Sequence, residues 1–301
     1  MNRRIACIDL GSNSFLLTIA EVDSMKKFQI LCDKAEVVGL VKKLDSNLCV
    51  SAEALDRAKA CLRDYRDQLE KHGATEVYAV ATASLRRPKN SIEVKHVLER
   101  VLGHSIEIIS GEKEAALSFS SVRLDPLCPS GNKIVFDIGG ASTEIISGND
   151  QNIEQLISIP VGSVLLTEKF ELDRPCHYLE ALNFMRSTLS HLNFSSDKDS
   201  KGIGVAGTVT SLLASELQLE VYDRERVHGQ ILSREQLKIW IERVSKMKLE
   251  ERKKITGLTP ARADVFLGGL IIILSLMEHF GWKNFHCFDT GVRFGLLYEQ
   301  L

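Results

Sequence analysis

Residues 136–144 read Phe-Asp-Ile-Gly-Gly-Ala-Ser-Thr-Glu, and 128 positions earlier residues 8–16 read Ile-Asp-Leu-Gly-Ser-Asn-Ser-Phe-Leu. Each stretch closes an apolar run (Arg4–Leu10, Lys133–Asp137) on an aspartate and turns through glycine and serine. Each then resumes an apolar run (Phe15–Val22, Thr143–Ser147). Such a pattern predicts strand, tight turn, strand. Recurrence of a unit at a long interval predicts a duplicated fold. The break falls in the turn-rich segment Asp125–Asn132, giving domains 1–125 and 126–301, with a final helix that could pack back on the first.

Working outward, the first half reads as α/β throughout. Phe28–Val38 fits a sheet extension, and Val77–Thr82 and Ser105–Ile109 read as short strands. Leu55, Ala58, Leu62, Tyr65 and Leu69 recur at three- and four-residue steps, predicting a helix over Ser51–His72 capped by Gly73. Ile92–Leu102 and Gly111–Leu124 read as further helices, with the segment 82–90 a loop. In the second half, strands are expected at Gln155–Ile159, Ile203–Ala206 and Phe285–Asp289. Helices are expected at 162–170, 175–192, 233–247, 262–280 and the C-terminus, and a Gly207-Thr208 turn opens another.

Composition narrows the function. Of 301 residues, 44% are hydrophobic and 26% charged, which excludes wholesale disorder. The formal net charge is −2 and aromatics reach only 6%, so neither a basic footprint nor a stacking platform for nucleic acid is indicated. The most apolar stretch, Val265–Met277, is 13 residues and too short for a bilayer span. Asp9 falls too early for a signal-peptide core, and seven scattered cysteines form no CxxC pair. A cytoplasmic protein without disulfide framework, zinc site or membrane partner is expected.

The glycine-rich turns carry the chemistry. Gly11-Ser12-Asn13-Ser14 and Gly139-Gly140-Ala141-Ser142-Thr143 can converge backbone N–H and hydroxyl donors on an anion. Asp9, Asp137 and Glu144 flank them, and phosphate donors beside carboxylates suit Mg²⁺. Gly207-Thr208 would place amides at a helix N-terminus, where anions are favoured. Arg86 can grip phosphate oxygens and Asn90 can donate to them. Glu114, in the helix opening Ser110-Gly111-Glu112, could take a proton from an attacking water, or simply complement the helix dipole. No HExxH, GxSxG or Walker string occurs, so zincin, α/β-hydrolase and P-loop readings lose their support.

Taken together, IDLGSNSFLL (8–17), TASLRRPKN (82–90), SGEKEA (110–115), FDIGGASTE (136–144) and PVGSVLLTEKF (160–170) resemble the Ppx/GppA family of exopolyphosphatases and guanosine pentaphosphate phosphohydrolases. VAGTVTSLL (205–213), VHGQILS (227–233), GLTPARADVFLGG (257–269) and TGVRFGLL (290–297) extend the likeness nearly end to end. The resemblance implies two actin-like, ribonuclease H-like domains of the sugar-kinase and heat-shock ATPase (ASKHA) superfamily around an interdomain cleft. It implies hydrolysis of the terminal phosphoanhydride of polyphosphate, or of the 5′ γ-phosphate of pppGpp, with Mg²⁺. Glu114 then matches the glutamate that activates water, and Asp137 and Glu144, with Asp9 a further candidate, match the metal-associated acids. Ser12, Asn13, Ser14, Arg86, Asn90, Gly139, Gly140, Ala141, Ser142, Thr143, Gly207 and Thr208 fall at its phosphate contacts. The resemblance also allows a homodimer.

Three departures stand out against the family pattern: Ala141 for a third glycine, Pro88 for a small residue and Phe294 for a polar one. The numbering ends at Leu301, where longer relatives continue into helical domains. A short form preferring shorter chains or a nucleotide is therefore expected. Two other functions remain open on the residues alone: an ATPase or kinase of the same superfamily, and a non-catalytic sensor of polyphosphate or a guanosine alarmone.

Overall fold

β1 (Arg3–Leu10) shows how the first sheet is built. Its side chains alternate between two apolar layers, as a strand buried on both faces requires. Ala6, Ile8 and Leu10 join one cluster, and Ile5 and Cys7 join another. The computed structural model describes residues 2–44, 47–194, 197 and 199–301. They divide into two units: Met1–Ser121 with Val292–Leu301, and Val122–Gly291.

In the first unit β1 pairs antiparallel with β2 (Ser14–Val22), which pairs antiparallel with β3 (Phe28–Val37). On its other edge β1 runs parallel to β4 (Glu76–Ala81), and β4 to β5 (Ile106–Ile108), giving the order β3-β2-β1-β4-β5. α1 (Ala52–His72) begins on an Ser51 N-cap and ends on left-handed Gly73, as its periodicity predicts. Segment 82–90, expected as a loop, contains the one-turn helix α2 (Ala83–Arg86). The Thr82 carbonyl closes that turn by accepting from the Leu85 and Arg86 amides. Sequence periodicity cannot register so short an element. α3 (Ser91–Leu102) packs with α1 on one face of the sheet, through Leu98, Leu62 and Tyr65. On the other face lies Leu117 of α4 (Gly111–Arg123).

The second unit repeats the plan. β6 (Lys133–Ile138) pairs antiparallel with β7 (Thr143–Gly148), and β7 with β8 (Ile153–Ile159). β6 runs parallel to β9 (Lys201–Val205). The remaining strands are β10 (Ile231–Ser233), which sequence pattern missed, and β11 (Asn284–Cys287). The order is β8-β7-β6-β9-β11-β10, the first unit's order with one antiparallel strand added. The 128-residue spacing predicts this duplication, and the plan is that of the actin-like, ribonuclease H-like domains that the resemblance implies.

α5 (Ser163–Phe170), α6 (Leu179–Ser190), α7 (Ala206–Glu216), α8 (Arg224–Val227), α9 (Arg234–Ser245), α10 (Leu249–Arg252) and α11 (Phe266–His279) complete it. α6 is shorter than the expected 175–192, and α11 starts at Phe266 because Pro260–Arg262 forms a separate 3-10 turn. The apolar α11 is buried along almost its whole length. Its two glycines permit close helix approach. A methyl on Gly268 would meet Thr167 Oγ1 of α5 at 2.5 Å, and one on Gly269 would meet Thr208 Cγ2 of α7 at 2.3 Å.

The last helix, α12 (Val292–Glu299), belongs to the first unit. Val292, Leu296 and Leu297 fill the layer containing Ile5, Cys7 and Leu117, and buried Arg293 donates to Asp33 Oδ2 at 3.0 Å. None of the helices among the described residues is long and apolar enough to cross a membrane.

Gly295 lets α12 lie against α4, since a methyl there would stand 2.3 Å from the Leu117 carbonyl oxygen. That neighbour is backbone and cannot swing aside. Gly295→Ala is expected to destabilise the chain by about 1–3 kcal/mol, the usual cost of overpacking, read as a lowered urea midpoint.

Candidate functional site

The repeated turns close in the same way. Gly11 N–H donates to the Ser14 carbonyl at 3.0 Å, and Gly139 N–H donates to the Ser142 carbonyl at 3.0 Å. A Cβ at Gly11 would stand 2.7 Å from that oxygen, and one at Gly139 3.2 Å. The chain folds back on itself there, which excludes a side chain at Gly11 and crowds one at Gly139. In the first unit the Ser12 and Asn13 carbonyls are taken by amides of Val38, Gly39 and Val41. In the second, the Gly139 and Gly140 carbonyls accept from Ser163, Val164 and Leu165 at the start of α5.

That use of α5 has a consequence for ligand binding. Its N-terminal amides grip the turn's carbonyls, while the Gly140 and Ala141 amides make no hydrogen bond among the described residues. Donors are thereby left to an anion. Gly162 makes the packing possible, since a methyl on it would stand 2.5 Å from Ala141 N. Ala141, the departure from a third glycine, is itself buried against this backbone.

Asp137 and Glu144 sit directly opposite each other on β6 and β7. Opposed residues have Cβ atoms about 5 Å apart and share a face, so two carboxylates stand side by side. They lie on the face opposite Phe136 and Ile145 of the large core, and both are buried. Ser158, opposite Glu144 on β8, donates its hydroxyl to Glu144 Oε1 at 2.7 Å. The equivalent pair in the first unit is Asp9 opposite Leu16, so only the second unit carries two acids. This donor set fits Mg²⁺, which takes one or two carboxylates and completes its shell with water and phosphate oxygens. Among the described residues no group of three or more His, Cys, Asp or Glu could hold a metal by itself.

Thr143 lies on the core side, where its hydroxyl donates to the Val161 carbonyl at 2.7 Å. Asn90 is likewise engaged: its Oδ1 accepts from Val50 N at 2.9 Å, and its Nδ2 donates to the Val50 carbonyl at 3.3 Å. Asn90 therefore pins the backbone leading into α1. Ser12 and Ser142 are buried in their turns.

The structure joins Arg86 and Glu114, which sequence reading treats separately. Arg86 Nη1 donates to Glu114 Oε2 at 2.8 Å and to the Ile109 carbonyl at 2.8 Å. Both side chains are largely buried, a setting in which a charge-assisted bond fixes orientation strongly. Arg86 Nε and Nη2 make no hydrogen bond among the described residues, so that edge of the guanidinium could take an anion. Asp9 lies on the sheet face of Ile5 and Cys7, the face on which Leu117 of α4 packs.

Gly207 and Thr208 lie within the first turn of α7, not before it. The strand passes into the helix through Ala206, held in the left-handed region at φ 69°. Such strain in a non-glycine residue is characteristic of functional turns. Over Gly207 lies a side chain that sequence reading did not assign, Arg262. A methyl on Gly207 would stand 1.7 Å from Arg262 Nη1, and that nitrogen also lies 3.4 Å from Ser211 Oγ. A helix N-terminus and a guanidinium thus share one spot, a setting suited to anions. The signal was a glycine inside a helix, which marks close approach.

Glycine turns and paired acids characterise the site, and the comparisons with known proteins give the family. The sequence profile of the Ppx/GppA phosphatase family matches residues 18–301. This chain belongs to that family. The bifunctional 3-dehydroquinate synthase/phosphatase of Fusobacterium nucleatum is 34% identical over 93% of this chain. The chain spans 44% of that relative's length. A crystal structure of the Ppx/GppA family member of Aquifex aeolicus is 30% identical, with TM-score 0.82 over 100% of this chain and 98% of that one. An exopolyphosphatase from Cytophaga hutchinsonii shares the fold at 24% identity, with TM-score 0.85 over 99% of this chain and 97% of that one.

The Gly207–Arg262 contact yields a clean test, because the far end of an arginine can move aside at little cost in stability. In Gly207→Ala the displaced guanidinium is expected to weaken inorganic phosphate binding about tenfold or more, the worth of a charge-assisted hydrogen bond. Calorimetric titration with phosphate checks this, with an unchanged melting temperature as the control.

Proposed function

We propose that this chain is a phosphohydrolase that releases the terminal phosphate of inorganic polyphosphate, or the 5′ γ-phosphate of pppGpp. The observation that carries the reading is the directly opposed, buried Asp137 and Glu144 beside a turn whose amides at Gly140 and Ala141 are left to an anion. Like charges so placed repel, and a divalent cation carrying phosphate offsets that repulsion. Mg²⁺ bound there would neutralise charge on the phosphate oxygens. Membership of the phosphatase family supports the same chemistry.

In this reading the turns at Gly11–Ser14 and Gly139–Ser142, with the α7 N-terminus and Arg262, bind phosphate oxygens. Arg86 orients the Glu114 carboxylate while offering its other edge to phosphate. Glu114 takes the proton from the attacking water. Phosphoryl transfer asks mainly for positioning and charge neutralisation, and these residues supply both.

Phosphate release from short and long polyphosphates, pppGpp and ATP, each with Mg²⁺ and with chelator, tests the proposal. Release that requires metal is expected. Binding without release from any of them would favour a sensor, and phosphorylation of an acceptor by ATP would favour a kinase. Glu114→Gln is expected to keep the melting temperature and phosphate affinity while lowering kcat by about 10²–10⁴-fold, the range of general-base help. Turnover close to wild type would remove Glu114 from that role.

A further inference from the structure

The chain passes between its two units after Ser121 and again after Gly291. A single imidazole ties both segments where they meet the second unit. His228 Nε2 lies 3.0 Å from Asp125 Oδ2, and His228 Nδ1 accepts the Asp289 amide at 3.0 Å. Since Nδ1 is an acceptor, the proton of the neutral ring sits on Nε2 and is donated to Asp125. The ring is buried, with the Phe288 ring edge-on at 4.8 Å between centroids. Burial alone would raise the Asp125 carboxyl, but hydrogen bonds from His228 and the Leu127 amide hold it below its ordinary range.

Asp289 is held at further points. Its Oδ2 accepts from Tyr222 at 2.8 Å, and its carbonyl accepts from Arg224 Nη2 at 3.1 Å. What these anchors position is the next two residues. Gly291, at φ 123°, lies so that a methyl on it would stand 3.8 Å from Asp137 Oδ2. Thr290 has a buried hydroxyl with no hydrogen-bond partner among the described residues. A buried hydroxyl left unpaired is costly, so this position suits a bound water or phosphate oxygen.

We propose that His228 is a positioning residue: through its Nδ1 arm to Asp289 it holds Thr290–Gly291 against Asp137, and so sets the geometry at that carboxylate. The consequence for metal rests on the preceding reading of Asp137. Supports of this kind behind a metal ligand are worth about 10–100-fold in affinity or activity.

The two amide substitutions divide the two arms. His228→Asn places an oxygen near Nδ1 and keeps the acceptor for Asp289, whereas His228→Gln places its amide near Nε2 and keeps only the arm to Asp125. Hydrogen exchange of the 288–292 amides in the full chain reads the strap directly. Calorimetric titration of Mg²⁺ in the presence of inorganic phosphate reads its consequence. Expected are wild-type protection and affinity in His228→Asn, but faster exchange and about tenfold weaker Mg²⁺ binding in His228→Gln.

Equal behaviour of the two variants, or no change in either, would overturn the proposal. Should neither fold, Tyr222→Phe removes another anchor of Asp289 from a half-exposed position. Faster exchange at 288–292 with weaker Mg²⁺ binding would then support the strap, and wild-type values would overturn it. Exchange is read without substrate or metal. A wild-type chain that released no phosphate would therefore overturn the proposed activity while leaving this comparison decisive.

Discussion

The rest of the structure depends on a four-residue turn closed by one backbone hydrogen bond, from a glycine N–H to a serine carbonyl three residues on. The turn reverses the chain at the end of the first strand of each sheet, at Gly11–Ser14 and again at Gly139–Ser142. Its tightness excludes a side chain at Gly11, crowds one at Gly139, and aligns the strands that follow. In the second unit that alignment brings Glu144 opposite Asp137. Shift the register by one residue and the pair would point to opposite faces.

A duplicated frame has been used asymmetrically. Both units share the strand order and the closing bond, but Leu16 stands where Glu144 stands. The paired acids belong to the second unit, while the Arg86–Glu114 ion pair belongs to the first. The neighbouring structure differs to match. Amides of 38–41 steady the first turn, whereas a helix N-terminus steadies the second. A helix end of the kind that suits an anion is in the second case spent on holding the loop.

Close backbone approach is the second recurring device. Gly162 packs against the turn, Gly268 and Gly269 bring α11 against α5 and α7, and Gly207 admits Arg262. These contacts fix the spacing of the turn and the helix start proposed to hold phosphate through parts of the chain remote in sequence. They also explain why α11 is both apolar all round and glycine-bearing. It is the buried post against which α5 and α7 are set.

The linear pattern was enough to determine the duplicated α/β plan, because turn chemistry and strand alternation are local and the repeat is long. It also determined the family, through motifs spread along the chain. Elements of three or four residues, such as α2, α8 and β10, left no periodicity to read. Partnership was equally out of reach. Nothing in the string links Arg86 to Glu114, Arg262 to Gly207, or Ser158 to Glu144, since each pair spans a crossover or a strand register. The same limit applied to hydroxyls and amides: Thr143 and Asn90 have the chemistry of phosphate donors, yet their side chains face Val161 and Val50. Residue type and local spacing set what each side chain can do. Which partner it meets was decided only by tertiary packing, because a hydrogen bond depends on distances the chain acquires when it folds.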